Sequence, residues 1–257
     1  MSADPRDALA DLLVDLQAVL EDSAARGMVF EGPSEPLPAP PAPEPVHGKA
    51  WSSLASKARE AAETELAAGD VGLRSVREDL GDCRRCRLCT DRTNLVFGQG
   101  TASADLLIIG PAPGRAEDYA GQPFAGPQGE MLDKMLENVL GLRRDQVYLT
   151  TAVKCRPPGD RLPELDELRA CHPFWVRQLR AVQPKLILAL GEAAFQMLFR
   201  TNEPLEPVRG QWRNYGGTPL LPTFHPVTLR ERPDLKRGVF EDLKNLRAKY
   251  DEVGGLR

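Results

Sequence analysis

Nowhere in this chain of 257 residues does an apolar stretch run free of charge for the roughly 18 to 20 residues that a membrane-spanning helix needs. No membrane partner is expected. The opening Met1-Ser2-Ala3-Asp4 also lacks a basic stretch followed by an apolar one, so the expected location is the cytoplasm. Cysteine is sparse and odd in number, at 5. That makes a disulfide framework a poor reading and points to metal or redox chemistry instead. Extreme composition is missing too: 42% hydrophobic and 27% charged residues exclude fibrous and fully unfolded classes and suffice for one sizeable core.

A strong net charge is also absent, the formal value being −4, but the charges are unevenly placed. Residues 1–70 hold 5 basic and 13 acidic side chains, which leaves 28 basic and 24 acidic in residues 71–257. The C-terminal part is therefore mildly basic, which is compatible with a polyanionic substrate without demanding one.

In residues 5–27, Leu9, Leu12, Leu13, Leu16, Val19 and Leu20 repeat at helical spacing, with Asp4 as N-cap and Gly27 as stop, and predict an amphipathic helix. Residues 31–50 hold 7 of the 23 prolines and no aromatic, so an extended linker is expected there. A weakly apolar helical stretch follows in residues 51–68. The N-terminal helix either docks back on the main domain or offers a surface to a protein partner.

From Val71 onward, short apolar runs alternate with helical periods. Leu106-Leu107-Ile108-Ile109, Val147-Tyr148-Leu149, Leu186-Ile187-Leu188-Ala189-Leu190 and Leu220-Leu221-Pro222-Thr223-Phe224 read as buried parallel strands, and residues 129–140, 164–182, 192–199 and 235–250 as helices. The expected fold class is α/β, a three-layer α/β/α sandwich with a central four-stranded, mostly parallel sheet. Pro222 suggests an edge position or a short strand. Each run ends in Gly, Pro or polar residues, and in such sheets ligands sit beyond the carboxyl ends of the strands.

Cys83-Arg84-Arg85-Cys86 is a CxxC pair, and Cys155 and Cys171 form a second pair with fifteen residues between them. Two pairs of thiolates suit a tetrahedral zinc or an iron–sulfur cluster, and spacing leaves both open. Cys89 extends the first pair to CxxCxxC and reads as the spare. The run Gly110-Pro111-Ala112-Pro113-Gly114-Arg115-Ala116-Glu117-Asp118 follows a strand directly. It lacks the Lys-Ser or Lys-Thr of a phosphate loop, and its carboxylates would repel phosphate, so it suits a neutral ligand or activation of water.

Taken in order, Cys83 to Arg92, the loop GPAPGRAED, Gly121-Gln122-Pro123-Phe124-Ala125-Gly126, Lys154-Cys155-Arg156-Pro157-Pro158, Cys171, Leu190-Gly191 and Phe224-His225-Pro226 resemble the family 4 uracil-DNA glycosylases. The resemblance covers residues 76–248. It implies hydrolysis of the N-glycosidic bond of uracil in DNA, with the base flipped out of the duplex. It also implies that Cys83, Cys86, Cys155 and Cys171 ligate a 4Fe–4S cluster. Glu117 then matches the acidic residue that positions water, Phe124 the ring that stacks on the base, and His225 the donor to its O2 carbonyl. Backbone amides near Ala112 would share that anion. Lys154 and Arg156 would face phosphate, and residues 226–230, with Leu229 and Arg230, would wedge into the minor groove. DNA containing uracil is the implied partner, and a monomer is expected.

Two departures bear on base specificity: Pro111 stands where the family has Glu, and Thr151 where it has Asn. An amide donates and accepts at once, whereas a hydroxyl is shorter and offers one donor. A non-catalytic or altered-specificity binder of deaminated bases is therefore a second reading, and a zinc-stapled hydrolase of nucleobase-like ligands a third. The covalent binders of a related family carry a basic insertion with a nucleophilic histidine, but residues 157–164 are short and contain no histidine.

Overall fold

All four apolar runs become neighbours in one sheet. A computed structural model describes residues 68–254, so the helix, linker and second helical stretch expected within residues 1–67 lie outside the described residues. The strands are β1 (Gln99–Gly100), β2 (Leu106–Gly110), β3 (Tyr148–Thr151), β4 (Leu186–Leu190), β5 (Arg213–Tyr215) and β6 (Thr218–Thr223), in the order β1-β3-β2-β4-β6-β5. The central β3-β2-β4-β6 set is parallel throughout. Two short antiparallel edge strands, β1 on β3 and β5 on β6, extend the expected four to six.

Helices α1 (Gly69–Leu80), α2 (Arg115–Ala120), α3 (Gly126–Met135), α4 (Leu165–Val182), α5 (Glu192–Phe199), α6 (Pro226–Glu231) and α7 (Lys236–Glu252) complete the described fold, with a single π-turn over Leu136–Leu140 continuing α3. The α4 and α5 spans fall where the periodicity puts them, whereas α1, α2 and α6 carry too few apolar positions to announce themselves. Among the described residues no helix is long and apolar enough to cross a membrane.

Strand alternation sorts the core into two layers. Leu106, Ile108, Leu149, Leu186, Leu188 and Leu221 pack against α3, the π-turn and α7 through Leu132, Leu136, Leu243 and Leu246. On the opposite face Leu107, Ile109, Ile187, Ala189 and Leu220 pack against α4 through Trp175 and Val182. Because both faces are covered, the central strands β2 and β4 read as continuous apolar runs. Truncating a residue such as Ile108, which is fully buried, would cost about 2–5 kcal/mol.

Strand β6 lies one place in from the edge, which corrects one of the two readings of Pro222. The β5 register reaches only to Leu220, so Pro222 has β4 on one side and, on the other, only its carbonyl accepting from Gly210 N at 2.9 Å. Its missing N–H falls where no ladder partner waits.

Candidate active site at the strand ends

The parallel strands deliver their carboxyl ends to one side. Gly110 of β2 and Thr151 of β3 are register partners there, and Gly191 N, just past β4, donates to Thr223 O at the end of β6 at 2.8 Å. Gly110 is packed so closely that a Cβ would sit 3.0 Å from Phe124 Cζ and 3.7 Å from His225 Nε2. A side chain there would crowd the Phe124 ring, so the glycine lets the tip of that ring and the Nε2 edge of His225 approach one point. The two rings stack with centroids 5.8 Å apart and planes at 27°.

His225 is the N-cap of α6, with Pro226 at the first helical position. Its Nδ1 accepts from Val227 N at 3.3 Å. Burial lowers its pKa from 6.5 to about 4, so the imidazole is neutral at physiological pH. With Nδ1 accepting, the single proton belongs on Nε2, the nitrogen that faces Gly110. The helix cap thereby sets the tautomer, and the tautomer makes His225 a donor.

Phe124 is buried and holds φ at 52°, the left-handed region that costs a non-glycine residue about 1–3 kcal/mol. Thr151 is buried as well, and its Oγ1 has no hydrogen-bond partner among the described residues. An orphaned buried hydroxyl carries a penalty of about 1–3 kcal/mol, which a ligand able to bond it would relieve.

Glu117 sits at the third position of α2 and is 2% exposed. Its Oε2 accepts from Gly114 N at 3.1 Å, its Oε1 from Ala125 N at 2.8 Å, and Gln128 Nε2 donates to the same Oε1. A carboxylate has roughly four lone-pair sites, so three donors leave one acceptor position open. Asp118 is buried beside it but turned the other way, accepting from Thr93 N at 2.9 Å and Asn94 N at 3.2 Å. It ties α2 to the segment that follows the CxxCxxC run.

All five cysteines are unpaired and line one small cavity together with Arg85, Arg92 and Lys154. Several sulfurs receive donors, among them Cys155 from Arg92 Nη1 at 3.1 Å, Cys171 from Lys154 N at 3.3 Å, and Cys83 from Arg85 Nη1 at 3.9 Å. Such donors suit thiolates and an anionic cluster. Burial nevertheless pushes the Cys171 thiol up to about 11, against the pull of Lys154, so binding there must displace a proton. Among the described residues no group of three His, Cys, Asp or Glu side chains converges on one ion-sized point. Cys89 lines the same cavity as the four expected ligands.

The cysteine segments are braced by Glu167 at the start of α4, whose side chain is fully buried. Arg161 Nη2 at 2.6 Å and Arg87 Nε at 2.9 Å both bond its Oε1. Those hydrogen bonds, Arg161 foremost, hold the Glu167 carboxyl down at about 2. The salt bridges join the Cys86–Cys89 stretch to the helix that carries Cys171.

The family model of the uracil-DNA glycosylase superfamily matches residues 97–244. A type-4 uracil-DNA glycosylase of Sulfurisphaera tokodaii is 38% identical over 184 residues, covering 68% of this chain and 83% of that protein. Type-4 enzymes of Archaeoglobus fulgidus (36% over 176 residues, 65% of this chain and 88% of that protein) and Thermotoga maritima (37% over 183 residues, 70% and 95%) are similar to it as well. The chain belongs to the uracil-DNA glycosylase superfamily. The superfamily match takes in all four parallel strands, Glu117, Phe124, Thr151 and His225, and begins after Cys83 and Cys86.

Within this superfamily fold, two expected DNA contacts are corrected. Lys154 is fully buried, its Nζ donating to Thr150 Oγ1 and Thr151 O, each at 2.6 Å, and burial draws its pKa down to about 7. It braces the end of β3 and cannot reach a phosphate. Leu229 is 2% exposed and packs into the core layer under α7, because residues 226–230 form helix α6 rather than an open loop. Arg230 on the same helix is exposed. Arg156 lies at the surface in a two-pronged pair with Asp160 at 2.6 and 3.0 Å, which a phosphate would have to displace. Ala112 is half-buried and packs between the strand end and the cysteine cluster. Gln128, which anchors Glu117, and Arg144, which grips the Phe124 turn, went unsignalled: neither lies in a motif, and each meets the site only through the fold.

Proposed function

We propose that this chain hydrolyses the N-glycosidic bond of uracil in DNA and leaves an abasic site, the first step of base excision repair. The observation that carries the reading is His225, whose Nδ1 accepts from Val227 N and whose Nε2 faces, with the Phe124 ring, the same point over Gly110. A base extruded from the duplex stacks on Phe124 and takes the Nε2–H on its O2. Cleavage places negative charge on the base and positive charge on the sugar. The fixed donor stabilises the first, and the carboxylate of Glu117, with its open acceptor position, orients the water that meets the second. Glu117 also accepts from Ala125 N, next to Phe124, so one side chain holds both the water and the stacking turn.

The cysteine cavity suits the 4Fe–4S cluster that the resemblance implies, since its sulfurs take donors from Arg92 Nη1 and Lys154 N, as an anionic group requires. Cys83, Cys86, Cys155 and Cys171 would hold it. Its contribution is mechanical, joining the segment around Cys83 to Cys155 and the α4 helix, and excision involves no electron transfer.

Cleavage of oligonucleotides carrying uracil, hypoxanthine or xanthine, opposite each normal base and in single strands, tests the activity. Abasic sites appearing with uracil support the reading, and none with any of these bases overturns it. The orphaned Thr151 hydroxyl favours a second reading, a pocket retuned toward another deaminated base, which the same panel reports as a stronger signal on hypoxanthine or xanthine.

A further inference from the structure

Phe124 does not adopt its left-handed backbone unaided. Its carbonyl is pressed against α3, where a Cβ on Gly129 would lie 1.9 Å from Phe124 O. Arg144 reaches the same carbonyl, its Nη2 bonding Phe124 O at 2.9 Å and also Pro123 O. The rest of the guanidinium is fixed by Asp133 of α3 through Nη1 at 3.0 Å and by Gln99 of β1 through Nε at 3.2 Å. One planar fork thus ties an edge strand, a helix and the turn that carries the ring.

We propose that Arg144 is a positioning residue for excision, holding Phe124 at the angle from which it stacks on the extruded base. The proposal rests on the reading of Phe124 as the stacking ring. Arg144 touches neither base nor sugar and acts only through the Pro123–Phe124 carbonyls. Without the fork, the strained turn relaxes and the ring leaves the point over Gly110 that it shares with His225 Nε2. Lysine cannot replace it, because a single ammonium cannot span acceptors on both sides of a planar group.

The test is single-turnover excision of uracil from a single-stranded oligonucleotide by the full-length protein, with affinity for undamaged DNA and thermal unfolding measured in parallel. Arg144→Ala and Arg144→Lys should slow cleavage by about 10- to 100-fold, with DNA affinity unchanged. Arg247→Ala serves as control, since it removes a comparable guanidinium clamp, on Leu140 O and Asp251, whose partners include none of the residues placed at the base or the water. It should lower stability without slowing cleavage. The deciding readout is a double-mutant cycle with Phe124→Ala: in that background Arg144→Ala should add little further loss, because the side chain it positions is gone. Additive losses, or an Arg144→Ala variant that cleaves at the wild-type rate while Phe124→Ala is slow, overturn the role of Arg144 and leave Phe124 in place. A Phe124→Ala variant at the wild-type rate instead removes the stacking reading and the inference with it. If Arg144→Ala does not fold, the Lys variant carries the same cycle.

Discussion

Protonation of His225 should be visible in both stability and rate, far below the pH where histidines ordinarily titrate. Its pKa falls from 6.5 to about 4 on burial. Between those values the unfolded chain takes up a proton that the folded chain refuses, so stability falls as the pH drops from 6.5 to about 4 and is insensitive to this group above 6.5. At about 1.4 kcal/mol per unit, the loss approaches about 3 kcal/mol at the lower end. A proton on Nδ1 would also set a donor against Val227 N, undoing the cap of α6 and the aim of Nε2. Single-turnover excision should therefore be flat from pH 8 to about 5 and fall near 4, if the rest of the fold survives there. With only 3 histidines in the chain, its ring resonance can be followed directly by NMR. His225→Asn separates the two roles: an asparagine is a strong N-cap and keeps the bond to Val227 N, but its amide is too short to meet the base. Stability should stay within about 1 kcal/mol, the acid-sensitive window should vanish, and the rate should drop by about 10²- to 10³-fold. An imidazole that titrates near 6.5, or an Asn variant that cleaves normally, would refute the argument.

Glu117→Gln turns an amide donor toward Gly114 N or toward Ala125 N and Gln128, so it should destabilise by about 1–3 kcal/mol and slow excision by about 10²-fold. Asp118→Asn, whose partners are Thr93 N and Asn94 N, should cost stability but little rate, and equal rate losses from the two would remove Glu117 from its role. Replacing Cys83, Cys86, Cys155 or Cys171 by Ala should abolish bound iron and lower the melting temperature, while Cys89→Ala keeps its iron; quantifying iron in the five variants decides this. Thr151→Asn should raise uracil excision by about fivefold, the equivalent of one added hydrogen bond of about 1 kcal/mol. A fall on uracil, hypoxanthine and xanthine alike would refute that.

The parallel core was legible because burial on both faces leaves no polar alternation, so β2 and β4 stand out as unbroken apolar runs and β3 and β6 each keep a short apolar centre. β1 and β5 were not, since two or three half-exposed residues such as Gln99–Gly100 form no pattern. Phe124, His225 and the cysteines were legible as motifs, but the approach of Phe124 and His225 to Gly110, and of Gly110 to Thr151, depends on the fold and the strand register. Lys154 was misread because a lysine beside Arg156 suggests a basic surface. The chain stays buried past the end of β3, and the ammonium folds back on Thr150 and Thr151. Leu229 does not reach the minor groove as the resemblance implies, because proline at a first helical position starts a helix and turns Leu229 inward.

The two departures from the family pattern fall in one place. Thr151 is the register partner of Gly110, and Pro111 is the next residue along, its carbonyl accepting from Val153 N at 3.3 Å. Both therefore lie on the wall formed by the ends of β2 and β3. Glu117, on α2, and His225, capping α6, sit on other elements, each fixed by its own hydrogen bonds to Gly114, Ala125 and Gln128 or to Val227. Exchanging the residue at 151 alters which groups meet the edge of the base and leaves the anchoring of the donor and the carboxylate untouched. On the proposed role of Thr151 at the edge of the base, a change there should alter the ratio of rates between bases more than the rate on the preferred one.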